Sequence, residues 1–134
     1  MSFTFNPRLS LVIVQLELSG PLGDVILSVA LDTGATGTLI NQSRLIYVGY
    51  DPAAQSDRSQ IRTGSGVEFV PRITVSKIAA LGQEQTDFPV LGHTLPPNAG
   101  VDGLLGLDFI RGQKLTIDFR SSEISLTKYY DQGR

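Results

Sequence analysis

The sequence contains no cysteine, which removes a disulfide framework, a thiol nucleophile and any cysteine-based metal site, and permits a reducing compartment. It has a single histidine, His93, set between Gly92 and Thr94, so neither a His-rich metal cluster nor a Ser-His-Asp site is supported. His93 is expected to be a surface polar residue. Charge is sparse: charged residues make up 18% of the chain and the net charge is −2, so a basic footprint for nucleic acid is missing. Long apolar runs are missing too, none approaching the about 18 residues of a membrane-spanning helix. The opening "MSFTFNPRLS" lacks the basic start and unbroken apolar region of a signal peptide. These features lead to the expectation of a soluble, cytoplasmic, stand-alone chain with no nucleic-acid or membrane partner. "TGSGVEF" (63–69) has the glycines of a phosphate loop but no Lys-Ser/Thr ending, and no cofactor or metal is expected.

What is present is material for one core. Hydrophobic residues make up 41% of 134 residues, and a chain of this size buries roughly 68% of its unfolded surface. No repeat, low-complexity segment or linker divides it, so a single domain over 1–134 is expected. Most segments have a period of two. In "LSLVIVQLEL" (9–18), Val12, Val14, Leu16 and Leu18 share one face with Gln15 and Glu17 opposite, predicting a strand. "SGPLGD" (19–24) is dense in turn formers and leads into "VILSVAL" (25–31), so a hairpin delivers the chain to Asp32. Asn41 is placed to cap a brief helix through "QSRLIYV", which Gly49 ends, and "DPAAQSDRSQ" (51–60) reads as a polar loop. "IRTGSGVEFV" (61–70) reads as two arms around Gly64-Ser65-Gly66, with glycines for the positive φ of a tight tip.

Strands continue through "RITVSKIAAL" (72–81) and, after a turn at Gly82, "QTDFPVL" (85–91), whose Pro89 suggests an edge or a strand end. "GHTLPPNAGVD" (92–102) reads as a loop. "GLLGLDFIRG" (103–112) opens apolar and predicts a short helix from about Asp108, whose charge suits the first turn. "KLTIDF" and "EISLTKYY" flank "RSS" as a last hairpin, and "DQGR" is expected to fray. The fold class is therefore all-β, of many short strands closed or nearly closed, with one or two short helices. Val29, Ile40 and Leu81 are expected to serve the core ahead of any substrate pocket.

The chemistry concentrates in "SVALDTGATGTLIN" (28–41), where an apolar run ends on Asp32-Thr33-Gly34. An unpaired carboxylate at the end of a buried strand is costly, so the turn must satisfy it. Gly34 permits a sharp turn that aims backbone N–H groups at the carboxylate, and Thr33 offers a hydroxyl to anchor the loop. Asp, Thr and Gly are also ordinary turn formers, so the tripeptide alone is ambiguous. The order of motifs carries more: a hairpin, "ALDTGATGTLI", a Gly-tipped hairpin near residue 65, and then "GLLGLDFI" some 70 residues after the Asp.

In that order the chain resembles the retropepsin-like aspartic proteases. "LLGLDFIRGQKLTIDF" followed by "SSEISL" is most similar to the DNA-damage-inducible type of retropepsin domain. The resemblance implies an acid-protease half-barrel with a flap. It implies Asp32 as the catalytic carboxylate, Thr33 hydrogen-bonding across to a partner loop, and Gly34 admitting substrate backbone. Ala35 stands where pepsins carry Ser, which implies a less acidic optimum, and Leu104, Leu105 and Gly106 would pack under the active-site loop beside it. Thr63, Gly64, Ser65 and Gly66 would close over an extended peptide. Aspartic peptide hydrolysis uses two carboxylates sharing one proton, and this chain holds one Asp-Thr-Gly; Asp102-Gly103 is the nearest imitation. A homodimer acting on polypeptide substrates is thus implied. Leu107 replaces the basic residue that viral members use to tie the dimer, so the contacts are expected from the C-terminal hairpin, 114–128. A catalytically weak or silent peptide-binding module on the same fold is the alternative, and intact Asp32-Thr33-Gly34 weighs against it.

Overall fold

The computed structural model describes residues 1–129. Ten strands are formed: β1 (Phe3–Thr4), β2 (Ile13–Gly20), β3 (Gly23–Leu31), β4 (Leu39–Asn41), β5 (Arg58–Thr63), β6 (Gly66–Ala80), β7 (Gln83–His93), β8 (Gly103–Leu105), β9 (Gln113–Asp118) and β10 (Glu123–Lys128). Two short helices, α1 (Gln42–Tyr47) and α2 (Leu107–Ile110), and a 3-10 turn, Pro52–Ala54, complete the elements among the described residues.

Six strands close into a barrel. The order β2-β3-β8-β4-β7-β6 returns on itself because the far end of β6 pairs with β2, in the register Leu16↔Ala80 to Ser19↔Lys77. Closure removes the free sheet edge that an open order would leave. The period of two supplies the interior: Val14, Leu16 and Leu18 from β2 are buried with Leu27 and Val29 from β3 and Val75 and Ile78 from β6. Val29, Ile40 and Leu81 are all buried core residues, as their composition suggested. The strand expected over 9–18 is β2, which begins at Ile13 rather than Leu9, and Leu9 and Leu11 stay exposed.

β6 is long enough to belong to two structures. Its second half lies in the barrel, while its first half pairs only with β5, in the register Arg58↔Pro71 to Thr63↔Gly66, as a projecting ribbon. Gly66 alone of the tip residues takes positive φ, at 127°; Gly64 does not, contrary to the expectation that both glycines would supply it. Three further local readings change. The polar stretch 51–60 is not all loop: Asp51 accepts from the Ala53 N–H at 3.1 Å to start the 3-10 turn, and strand resumes at Arg58. Pro89 lies inside β7, opposite Thr74, rather than at its end. It is tolerated because β4 pairs only with Leu91–His93, so the missing N–H costs no ladder bond on that side. His93 ends β7 rather than sitting in a loop, and its Nε2 lies 3.8 Å from Glu68 Oε2 on the ribbon.

The Asn41 cap is in place, its side chain accepting from the Ser43 N–H, and α1 ends at Tyr47, capped by Val48 and followed by Gly49, whose φ is 105°. β9 and β10 form the expected last hairpin, but β1 adds to β10 and makes a separate three-stranded sheet. That N-terminal strand was invisible in sequence because two residues carry no period. The segment expected to fray, 131–134, lies outside the described residues.

Candidate active site

β3 brings the chain to Asp32, and the next residues turn sharply because the Gly34 N–H donates to Asp32 Oδ1 at 2.9 Å while the Ala35 N–H donates to the Asp32 carbonyl at 3.1 Å. Asp32 is half-buried, Thr33 and Gly34 are exposed at the tip, and Asp32 Oδ2 accepts no hydrogen bond among the described residues. One carboxylate oxygen is thus held by an amide and the other is available to a reacting group.

The loop is braced from beneath by β8. This strand is wedged between β3, to which it runs parallel (Ala30↔Leu104, Leu31↔Leu105), and β4, to which it runs antiparallel (Leu39↔Leu104). The Asp32 N–H donates to the Leu105 carbonyl at 3.0 Å, and the Leu107 N–H donates to the Ala35 carbonyl at 2.8 Å, so the loop is sewn at both ends to the segment from β8 into α2. Leu105 is fully buried and Leu104 partly so. A Cβ on Gly106 would stand 2.7 Å from the Gly37 carbonyl and 2.9 Å from the Ala35 carbonyl oxygen, and one on Gly103 would collide with the Leu39 carbonyl. Both glycines are there because backbone crosses backbone.

Two residues that sequence reasoning undervalued complete the brace. Thr38 is fully buried; its hydroxyl donates to Asp108 Oδ1 at 2.7 Å and accepts from the Gly106 N–H at 3.1 Å, while its own N–H donates to Asp108 Oδ2 at 3.0 Å. Asp108 does lie in the first turn of α2, but its oxygens face the Asp32 loop and both accept from Thr38 there. A polar residue opening the apolar run "TLI" was the available signal. Asp102, the nearest imitation of a second catalytic aspartate, is likewise engaged: its carboxylate accepts from the Ser28 N–H at 3.0 Å and from Arg44 Nε at 3.1 Å. Thr63, Gly64, Ser65 and Gly66 form the ribbon tip, closed by Thr63 Oγ1 and Ser65 Oγ at 3.2 Å and by Thr63 Oγ1 donating to the Gly66 carbonyl at 3.3 Å. The base of the same ribbon faces Thr36 and Gly37 across a groove. No group of three or more His, Asp or Glu side chains able to hold a metal ion occurs among the described residues.

β3 leads into Asp32-Thr33-Gly34 and β8 into Gly106, and two comparisons with known proteins bear on the chain that carries them. The family model described as gag-polyprotein putative aspartyl protease matches residues 20–112, from the last residue of β2 to the residue before β9. The chain belongs to this family. The crystal structure of a retropepsin-like aspartic protease from Rickettsia conorii is similar with a TM-score of 0.70 and 19% identity, covering 96% of this chain and 89% of that one. At that identity the likeness establishes the fold, which is retropepsin-like. Among curated proteins none matches. The aspartyl protease family match spans the candidate loop and its brace, and stops short of the C-terminal hairpin.

Proposed function

We propose that the protein is a homodimeric aspartic endopeptidase, with one Asp32 from each chain forming the catalytic pair. The observation that carries this reading is the half-buried Asp32 carboxylate, Oδ1 pinned by the Gly34 N–H and Oδ2 without a partner among the described residues, on a loop whose exposed tip is Thr33-Gly34. The nearby Asp102 and Asp108 carboxylates are committed to Ser28 and Arg44 and to Thr38, so the second carboxylate comes from a second copy across a two-fold axis.

Two carboxylates brought to about 3 Å share one proton, because like charges at that range oppose a second ionisation. The ionised member takes a proton from water, the water oxygen attacks the peptide carbonyl carbon, and the protonated member donates to the carbonyl oxygen. Collapse of the tetrahedral species breaks the C–N bond as the carboxyl group that took the water proton donates it to the leaving nitrogen and the other carboxylate takes a hydroxyl proton back. Thr33 reaches the partner's loop, Gly34 leaves room for substrate backbone, and Leu104, Leu105, Gly106 and Ala35 hold the loop. The tip at Thr63, Gly64, Ser65 and Gly66 closes on an extended polypeptide by adding backbone hydrogen bonds. The Leu-Gly-Leu-Asp segment (105–108) and the C-terminal hairpin (114–128) are the basis for reading a DNA-damage-inducible type of retropepsin, with dimer contacts drawn from that hairpin.

The test is cleavage of a peptide pool across roughly pH 3 to 8, the span in which carboxylate pairs titrate, with Asp32→Asn alongside. Cleavage lost in Asp32→Asn is expected; cleavage surviving the substitution would overturn the mechanism, and a dimer that binds peptides without cutting them would identify a silent module.

A further inference from the structure

Beside the active-site loop lies a groove of about 440 Å³, bordered by Thr36 and Gly37, by Ser59 on β5, Arg72 on β6, Leu91 on β7 and Asp108 on α2. Thr36 is four residues from Asp32, and four residues of chain reach at most about 14 Å. An extended peptide advances about 3.3 Å per residue, so the groove lies within roughly four positions of a bond held at Asp32. The side chain at one of those positions has this groove to enter.

The charges in and around it are unequal. Arg72 directs Nε (3.0 Å) and Nη2 (2.7 Å) onto the neutral Ser59 hydroxyl and forms no ion pair among the described residues. A guanidinium carries five N–H donors, so three remain for a ligand. Asp108 also borders the groove, but each of its oxygens accepts from Thr38. On the adjoining ribbon Arg58 and Arg62 are exposed, while Glu68 lies against His93 and Asp57 precedes β5. A charged group held in place by a neutral hydroxyl, beside a catalytic loop, is suited to recognising the opposite charge on a substrate.

Building on the reading of the protein as a peptidase, we propose that this groove is a specificity subsite for an acidic side chain of the bound polypeptide, and that Arg72 selects it. The test is a randomised octapeptide library in which one position at a time is Glu or Gln. Cleavage by the wild-type protein is measured beside Arg72→Gln and Arg72→Lys, and binding of the same peptides is measured on Asp32→Asn. At one position the wild type prefers Glu by roughly ten-fold, mainly through KM. Arg72→Gln loses that preference while Gln peptides change by less than about two-fold, and Arg72→Lys restores part of it, a pattern that mere loss of structure does not produce. Equal use of Glu and Gln at every position, or an equal fall for both in Arg72→Gln, would overturn the proposal. Because binding to Asp32→Asn needs no chemistry, a Glu preference there with an inert wild type defeats the peptidase reading and leaves the groove standing; binding of neither peptide defeats the groove.

Discussion

At the scale of single residues, the loop that carries Asp32 owes its shape to side chains that do no chemistry. Removing the Thr38 hydroxyl as Thr38→Val leaves the buried Gly106 N–H and one Asp108 oxygen unpaired at nearly constant volume. That change should cost about 2–3 kcal/mol, read as a lower urea midpoint at unchanged slope. Gly106→Ala is expected to be worse for function than for folding. The added methyl forces residues 35–37 away, so unfolding free energy falls by about 2 kcal/mol while peptide cleavage falls by more than ten-fold. The place of Gly106 under the loop was legible through the resemblance that "GLLGLDFI" carries, and not from the spacing of its residues. Thr38 was not, since a threonine beginning a β-rich run fits there without any partner; only the crossing of β8 beneath the loop shows what its hydroxyl meets.

Among elements, the barrel depends on a seam where β6 meets β2 and β7, and Lys77 bridges it, 3.2 Å from Glu17 on β2 and 3.8 Å from Glu84 on β7. The hydrogen bond to Glu17 and the charges of Glu84 and Glu17 raise the Lys77 pKa above its ordinary value. Because the folded value is raised, the stabilisation is complete below the unfolded value near 10.4 and is lost as pH climbs through the folded one. Thermal melts of wild type and Lys77→Met should therefore differ at pH 8 and converge as pH rises through the raised folded value, with the gap narrowing in high salt. At the β9–β10 turn the opposite sign holds. The backbone N–H groups of Ser121 and Arg120 lower the Asp118 pKa, so that turn's contribution is present above the unfolded value near 3.9 and is lost as acid drives pH down through the folded value. Asp118→Ala should remove this acid-limb difference in melts taken from roughly pH 6 to 2. The strands of the seam were readable from their period of two, as were the hairpins from their turn residues. The seam was not, because period tells which face is buried and not which distant strand lies alongside. β1 and the 3-10 turn escaped for a plainer reason: two or three residues complete no period.

For the whole molecule, the family and fold follow from two motifs and their separation, "ALDTGATGTLI" and "GLLGLDFI", which the barrel brings into direct hydrogen-bonded contact. Thr33 and Gly34 are exposed and Asp102 and Asp108 are committed elsewhere, and in the proposed homodimer each chain would supply half of a catalytic pair. An obligate interface of this kind buries about 2,000 Å² or more in total, so sedimentation should report twice the chain mass at micromolar concentration. The most direct measurement is a mixing titration: wild-type chains exchanged with Asp32→Asn chains at fixed total concentration, with peptide cleavage followed against the wild-type fraction. If each site needs one Asp32 from each of two chains, activity follows the square of that fraction and an equal mixture retains about a quarter of the starting rate. A linear decline, leaving about half at equal mixing, would mean that one chain suffices and would contradict the shared pair.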